Sequence, residues 1–529
     1  MLFTSYGFIA FLAVLFLAYY LVPRKWQWGL LLAASYFFYA FAGLECLIFI
    51  LVTTASAYVV ARLMARGHRR EAEYLSLHRA EMEKDERKKY KAAQKKKRFL
   101  LLLCGLIFDF GILAVLKYTG FAVVNLNSIL GAFGSETTFS VPDLLLPMGI
   151  SFYIFQTTGY LIDVYRAKTV AEKNPARLAL FVSFFPQLVQ GPISRHSDLA
   201  AQLYAPHAFD RRNFTYGIQR ILWGYFKKLV VADRILVAMR VLVESAESYR
   251  GVYVFLLILL YSAQIYADFT GGMDITIGIA ESLGIRLKEN FKHPFSSRST
   301  KEYWNRWHIT MGSWFTDYVF YPLSVCRPMM KLSTFSRRVF GAKIGKRIPV
   351  YLATVVTWFL TGLWHGAGWN FIVWGLLNCL VILVSQELEP LYARFRKRAP
   401  RLTSSWGYGK FMAVRTFLLM GLIRSLDCYR DVGLTFRQWG SILTVWNFGD
   451  LSRGVMTLGL DLADWIIVLC GCLLMAVVGS ISAKIDIRER LYEKPILSWT
   501  LFGTLFLVIL LFGAYGVGYD ASQFIYNQF

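Results

Sequence analysis

Apolar stretches of about membrane-crossing length recur almost from one end of this 529-residue chain to the other. A membrane-spanning helix needs about 20 mostly apolar residues, and stretches of this kind or somewhat shorter include 8–22, 30–51, 99–116 and 499–517. Hydrophobic residues make up 56% of the chain and charged residues only 17%, which does not fit a soluble globular protein of this length. The sequence predicts an all-α polytopic membrane protein with about 10 to 12 crossings.

The formal net charge is +24. In a membrane protein such basic residues indicate how the chain is oriented in the membrane, because Lys and Arg are retained on the cytoplasmic side. The main basic clusters are 68–98 and 394–398. Two hairpin-linked spans separate the short turn at 23–25 from the first cluster, so both lie on the cytoplasmic side and the N-terminus lies outside. We expect a multi-pass plasma-membrane protein with an extracytoplasmic N-terminus, surrounded by membrane lipid and without a nucleic-acid partner.

The chain divides by composition and charge. We expect N-terminal transmembrane helices over 1–66, a charged cytoplasmic helix or loop over 67–98, a central block over 99–385, a basic cytoplasmic linker over 386–410, C-terminal transmembrane helices over 411–523 and a tail over 524–529. Ionisable residues in apolar context concentrate in the central block, where function is expected. Seven cysteines form neither a disulfide framework nor a zinc pattern, so no metal site is predicted.

His365 lies at the end of an apolar run that begins near Val350. A histidine at membrane depth is costly unless it is paired or lines a wet cavity. Gly362 and Gly366 bracket it at a spacing that lets a neighbouring backbone approach closely. The residue is either functional or a histidine that hydrogen-bonds across helices for packing only.

A second histidine, His308, lies in the run 301–318, which is rich in Trp, Arg, Asn and Asp. On a helix, Trp304 and His308 would share one face. Such a segment is typical of an interfacial helix with an aromatic belt or of the lining of a substrate site. Both interpretations stay open for His308.

Two further segments place polar residues on one helical face within apolar surroundings. Such stripes face protein or water, not lipid, so they line a tunnel or form hydrogen bonds between helices. Paired glycines at 271–272 in the second segment indicate a break or a close helix contact. The stripes are Gln156, Tyr160 and Asp163, and Tyr261, Gln264 and Asp268.

The last six residues, 524–529, form an aromatic-rich tail. A tail of this composition is expected to dock back onto the protein rather than trail in water. Docking could bring the Tyr526 hydroxyl to a site as an acyl acceptor. The alternative is an interfacial aromatic anchor.

Five motifs occur in order along the chain, between residues 184 and 366. They are Phe184-Phe-Pro-Gln-Leu-Val-Gln-Gly-Pro-Ile193, Gln264-Ile-Tyr-Ala-Asp-Phe269, Glu289-Asn-Phe-Lys-His-Pro294, Trp304-Asn-Arg-Trp-His308 continuing through Tyr321-Pro-Leu323, and Leu363-Trp-His-Gly366. Together they resemble the membrane-bound O-acyltransferase (MBOAT) family, in particular its bacterial branch of alginate and peptidoglycan O-acetyltransferases and the teichoic-acid D-alanylation membrane protein. The N-terminal spans and the tail also resemble this branch, so the resemblance covers most of the chain.

The resemblance implies that 99–385 is the catalytic core, with His365 as the catalytic histidine and His308 as the second signature histidine. It implies a ring of tilted helices around a central tunnel. It also implies a cytoplasmic acyl thioester as donor, such as acetyl-CoA, no permanently bound cofactor, and an extracytoplasmic acceptor. Tyr526 would be an acyl relay. The candidates for the tunnel lining are Gln156, Gln264, Asp268, Trp304 and Asn305.

With these roles His365 is the general base, and His308, with Asn305 nearby in sequence, orients the donor or supports the oxyanion. The acceptor is a hydroxyl of a glycan or of an extracytoplasmic esterase-like partner protein. D-alanyl transfer from a carrier protein to teichoic acid is an alternative within the same fold. A transporter or lipid flippase is an alternative from another class, although no internal repeat supports it.

Overall fold

The computed structural model describes residues 2–78 and 80–515, and within these ranges the chain is helical, without a β-strand. Seven described helices are long and apolar enough to cross a membrane. This confirms an all-α polytopic membrane protein. The seven are fewer than the expected crossings, since some apolar helices, such as Tyr6–Leu21, are shorter than 18 residues. The predicted segment boundaries concern membrane sidedness and stay predictions.

The first of two compact units contains the described residues up to Phe214 together with Ile279–Leu287. Its helices are α1 (Tyr6–Leu21), α2 (Gln27–Ala40), α3 (Cys46–Leu77), α4 (Lys84–Ala132), α5 (Ile150–Tyr165), α6 (Pro175–Ser183), α7 (Phe185–Gln190) and α8 (His196–Tyr204).

The charged segment 67–98 contains the end of α3 and the start of α4. Glu83 and Glu86 form a capping box that satisfies backbone N–H groups at the start of α4. Arg98 and Glu71, 2.6 Å apart, then join the two helices. The described residues of this segment therefore form the end of one helix and the start of the next, because a strong helix start signal lies within it.

The second unit contains Thr215–Gly278 and the described residues from Lys288 onwards. Its helices begin with α9 (Arg211–Tyr225), α10 (Asp233–Glu244), α11 (Val252–Ser282), α12 (Thr300–Arg306), α13 (Ile309–Phe315), α14 (Tyr321–Ser324), α15 (Arg327–Gly345), α16 (Ile348–His365) and α17 (Trp369–Glu387). They continue with α18 (Glu389–Arg398), α19 (Pro400–Thr403), α20 (Trp406–Tyr429), α21 (Val432–Thr444), α22 (Leu451–Val455), α23 (Leu462–Ser482), α24 (Ile487–Tyr492) and α25 (Pro495–Phe512).

Glycines bring α9 and α11 into close antiparallel contact. A Cβ on Gly224 would lie 2.6 Å from the carbonyl oxygen of Gly271, and a Cβ on Gly278 would lie 2.6 Å from that of Gly217. Each helix therefore offers two glycines seven residues apart, or about two turns. Of the two interpretations of the paired glycines, the close contact is confirmed, and α11 runs through them without a break.

A π-helical turn, Phe226–Ala232, joins α9 to α10 and carries two consecutive buried lysines. Lys227 bonds Asp274 and Thr270, whereas Lys228 bonds Asp268 and Asp233. Polar side chains of α11 thus find charged partners inside the protein, as membrane depth requires.

Candidate active site

His308 lies at a break in the backbone, not on a continuous helix as the sequence predicted. Its φ of 50° and ψ of 51° place it in the left-handed region, between α12 and α13. The backbone of 290–292 explains the break: Ile309 N donates to Asn290 O over 3.0 Å, and Lys292 N donates to Arg306 O over 2.9 Å. Hydrogen bonds to a neighbouring loop replace those of a helix, so Trp304 and His308 do not share a helical face.

The side chain of Asn290 fixes the His308 ring. Thr310 N, which can only donate, lies 2.9 Å from Asn290 Oδ1, and the Thr310 hydroxyl lies 2.9 Å from the same oxygen. The amide oxygen is thereby assigned, and the amide nitrogen faces His308 Nδ1 at 3.1 Å. His308 Nδ1 also lies 3.3 Å from Asn290 Oδ1, but that oxygen already accepts from both groups of Thr310. We therefore assign Nδ1 as the acceptor from the amide nitrogen, which places the proton of the neutral ring on Nε2.

His308 is completely buried. Burial lowers its pKa to about 3, because the imidazolium would lose its hydration. The ring of Phe269 packs edge-on against it, with centroids 4.9 Å apart. At neutral pH the residue is therefore an uncharged ring with an N–H at Nε2, suited to donate a hydrogen bond.

His365 is the last residue of α16, and it is half-buried. The helix ends there because Gly366 adopts an extended backbone. A Cβ on Gly366 would overlap the Phe371 ring, and a Cβ on Gly362 would lie 2.4 Å from Phe371 O. The two glycines therefore allow the close approach of α17 that their spacing predicted.

One tryptophan contacts both histidines. The Trp364 ring centroid lies 6.0 Å from that of His308 and 5.0 Å from that of His365. Trp374 of α17 packs against the other side of the site, 4.7 Å from the His365 ring. The fold thus brings together the two histidines that the sequence singled out, around a shared aromatic side chain.

Trp304 and Asn305 differ in their surroundings although they are adjacent in sequence. The Trp304 ring packs 5.6 Å from Trp374, and its Nε1 donates to Asn378 Oδ1 over 3.2 Å. Asn305 is exposed on α12. The amide that contacts His308 belongs instead to Asn290, which sequence reasoning did not single out, although it lies in the motif 289–294.

The remaining candidates for the tunnel lining are all buried. Gln156 lies on α5 of the first unit, and Gln264 lies on α11 of the second. Asp268 is 2.5 Å from Lys228 Nζ and is thereby part of a buried ion pair. Tyr261, on the same stripe of α11, donates to Asp427 of α20 over 2.7 Å. This is a hydrogen bond between helices, one of the two roles that the sequence predicted for the stripe. Tyr526 lies outside the described residues.

A cavity of about 650 Å³ reaches the residue that orients His308. Asn290 forms part of its wall, together with a group of four charged residues that are paired with one another. Arg220 Nε lies 2.9 Å from Asp274, and its Nη2 lies 2.6 Å from Glu289. Lys227 also bonds Asp274. These two cations and two anions balance one another, as do Arg488 and Asp486 elsewhere in the lining. The cavity provides space beside the site.

The fold and the site define a polytopic membrane protein in which a neutral, oriented histidine and a second histidine meet around buried aromatic rings. The family model for the membrane-bound O-acyltransferase family, MBOAT, matches residues 172–426. The chain is 32% identical over 546 residues to the probable alginate O-acetylase of Pseudomonas putida, with all of both chains covered.

Two other relatives are also named as O-acetylating enzymes. The probable alginate O-acetylase of Azotobacter vinelandii is 35% identical over 74% of this chain and 69% of its own. The peptidoglycan O-acetyltransferase of Helicobacter pylori is 30% identical over 74% of this chain and 72% of its own. The chain belongs to the membrane-bound O-acyltransferase family and is an O-acyltransferase, as the ordered motifs indicated.

Proposed function

We propose that this enzyme moves an acetyl group from a cytoplasmic thioester, acetyl-CoA, to a hydroxyl on the outer side of the membrane. The observation that carries the proposal is the pair of histidines that meet at Trp364, one of them held as a neutral hydrogen-bond donor. The names of the relatives, two O-acetylases and an O-acetyltransferase, support acetyl as the group that is transferred.

His365 is the proposed general base. Its imidazole removes the proton of the acceptor hydroxyl as the oxygen attacks the thioester carbonyl carbon. The tetrahedral intermediate then collapses, the carbon–sulfur bond breaks, and the thiolate takes the proton from the imidazolium. Histidine suits both steps because its ordinary pKa lies near neutral pH, and a general base contributes about 10²–10⁴-fold.

His308 is the proposed donor to the oxyanion. With Nδ1 accepting from Asn290, the ring presents Nε2–H, and a fixed N–H directed at developing negative charge stabilises it. An uncharged ring in a buried site keeps this role over a wide pH range. This deepens the role expected from sequence and replaces Asn305 with Asn290 as the supporting amide.

Tyr526 is the proposed first acceptor, an acyl relay within the chain. Its ester would then pass the acetyl group to a cell-surface polysaccharide or to a serine of an extracytoplasmic esterase-like partner. This step rests on the sequence of the tail 524–529. Mass spectrometry of a trapped Tyr526 ester distinguishes acetyl from D-alanyl, because the two groups differ in mass.

The experiment that tests the proposal compares His365→Ala with His78→Ala. His78 lies between α3 and α4, so its loss should leave acetylation unchanged. His365→Ala, expressed and folded at wild-type level, should reduce acetylation of the surface polymer at least about 10²-fold. Full acetylation by that variant would contradict the mechanism. Purified protein that binds acetyl-CoA yet never transfers or hydrolyses the acetyl group would favour a transporter instead.

A further inference from the structure

A second cavity, of about 750 Å³, lies in the second unit between α11, α20 and α23. Its walls are mostly apolar, with Ala263 and Tyr266 from α11, Phe417 from α20 and Met475 from α23. The loop before α12 closes one end. We call this cavity the α20–α23 cleft.

The charged side chains that line the cleft are Arg298 and Lys410, and its lining contains no Asp or Glu. Both are exposed. Both belong to one end of the cleft. The Arg298 guanidinium lies 3.2 Å from the position of a Cβ on Gly409, and Lys410 Nζ lies 5.4 Å from the centroid of the Trp406 ring. Two positively charged side chains thus border one end of an apolar cavity whose lining contains no carboxylate.

The cleft continues into surface that faces hydrocarbon. Val414 lines it and is 55% exposed, and Leu473 and Val477 of the adjoining α23 are 56% and 53% exposed. In a polytopic protein, apolar side chains with such exposure on helices of spanning length face lipid. A lipid molecule can therefore enter sideways.

The basic end lies at the level where headgroups are expected. Arg298 and Lys410 are near the first turns of α20, which follows the basic linker 386–410 that we expect on the cytoplasmic side. Trp406, at the start of α20, also lines this end, and Trp is enriched at the interface between membrane and water. Basic pockets between transmembrane helices on this side bind anionic headgroups.

We propose that the α20–α23 cleft binds one anionic phospholipid of the cytoplasmic leaflet. Its phosphate lies between Arg298 and Lys410, and an acyl chain lies along Ala263 and Phe417. The apolar walls favour a lipid over coenzyme A, whose phosphates would suit the same cations but whose body is polar. Neither His308 nor His365 lines the cleft, although Tyr266 and Met475 also line the cavity of about 650 Å³ beside Asn290. Lipid binding here goes beyond the proposed acyl transfer.

The test is lipid binding to the purified full-length protein, followed by native mass spectrometry. Wild type should retain phosphatidylglycerol in preference to zwitterionic phosphatidylcholine. The double variant R298Q/K410Q should lose at least about fivefold in apparent affinity for phosphatidylglycerol, since both basic side chains near the phosphate are removed. The matched control is R394Q/K397Q, which removes two exposed charges of α18 from the same linker.

Three outcomes would overturn the proposal: equal retention of the two lipids by wild type, an equal loss in the control, or displacement of phosphatidylglycerol by coenzyme A together with a raised KM for acetyl-CoA in R298Q/K410Q. If that variant does not fold, Ala413→Trp serves instead. Ala413 lines the cleft, so a bulky ring there should exclude the lipid without changing the charge of the protein. Unchanged retention of phosphatidylglycerol by Ala413→Trp would also overturn the proposal.

Discussion

Asn290 Nδ2 lies 3.1 Å from His308 Nδ1, and the amide cannot turn over without losing the hydrogen bond from Thr310 N, which can only donate. This contact decides which ring nitrogen of His308 carries the proton. It also makes an asparagine eighteen residues upstream a positioning residue for the site.

The first prediction concerns Asn290→Asp, which keeps the size of the side chain but replaces the donor with an acceptor. The proton of His308 should then move to Nδ1 to meet the carboxylate, leaving no N–H at Nε2. We expect acetyl transfer to fall about 10- to 100-fold, by analogy with metal-binding histidines that lose the partner orienting their ring. Nitrogen-15 NMR of labelled histidine should show the change of tautomer.

The control for Asn290→Asp is Thr310→Val. It removes the hydroxyl but keeps the backbone N–H that holds the amide oxygen, so the tautomer should persist and activity should change little. If both variants lost activity equally while the tautomer stayed the same, the assignment of the Nε2–H donor would be wrong.

The second prediction concerns pH. The folded protein holds the pKa of His308 at about 3, below its ordinary 6.5. On acidification the unfolded chain therefore takes up the proton before the folded protein does. The free energy of unfolding is highest above about pH 6.5 and decreases as pH falls towards 3. His308→Asn should remove this dependence, which is at most about 1.4 kcal/mol per pH unit. Thermal unfolding in detergent between pH 7.5 and 4.5 measures it, and parallel curves for both proteins would refute it.

The third prediction concerns the contact between α9 and α11. Gly224→Ala would place a Cβ 2.6 Å from Gly271 O, and overpacking of this kind costs about 1–3 kcal/mol. Gly503→Ala on α25 is the matched control, because nothing lies within 4 Å of the added Cβ. Its thermal unfolding temperature should stay the same or rise slightly. Equal tolerance of both substitutions would mean that the helices do not approach so closely.

The fourth prediction concerns Lys228, which is buried with Asp268 at 2.5 Å and Asp233 at 2.7 Å. Lys228→Met should destabilise the protein by about 3–5 kcal/mol, since it leaves buried carboxylates without their cation. Arg69→Met is the comparison, because Arg69 and Glu73 form a largely exposed pair and such pairs contribute little. Similar unfolding temperatures for the two variants would contradict a structural role for the buried group.

Features that depend on local pattern were predictable from the sequence. Long apolar stretches predicted the helices, the glycines at 271–272 indicated a close contact, and His308 and His365 stood out because ionisable residues are costly in apolar surroundings. These inferences need only the neighbours of a residue along the chain or around one helical turn.

Features that depend on contacts between distant segments were not predictable. The break at His308 arises because the backbone of 290–292 takes its hydrogen bonds, and the helical pattern of 301–318 gave no sign of it. Asn290 was missed for the same reason: an asparagine in a short loop has no local feature that marks it as the partner of a histidine. The Lys228 group likewise joins a π-helical turn to a stripe on α11.

The left-handed backbone conformation of residue 308 determines which amino-acid substitutions this position tolerates. Besides glycine, the residues that best tolerate this conformation are Asn, Asp and His, and codons for Asn and Asp each differ from a His codon by a single nucleotide. A point mutation can therefore delete the imidazole while the chain keeps its path. Descendants of this gene that have lost acyl transfer would be expected to carry Asn or Asp at this position and still assemble in the membrane.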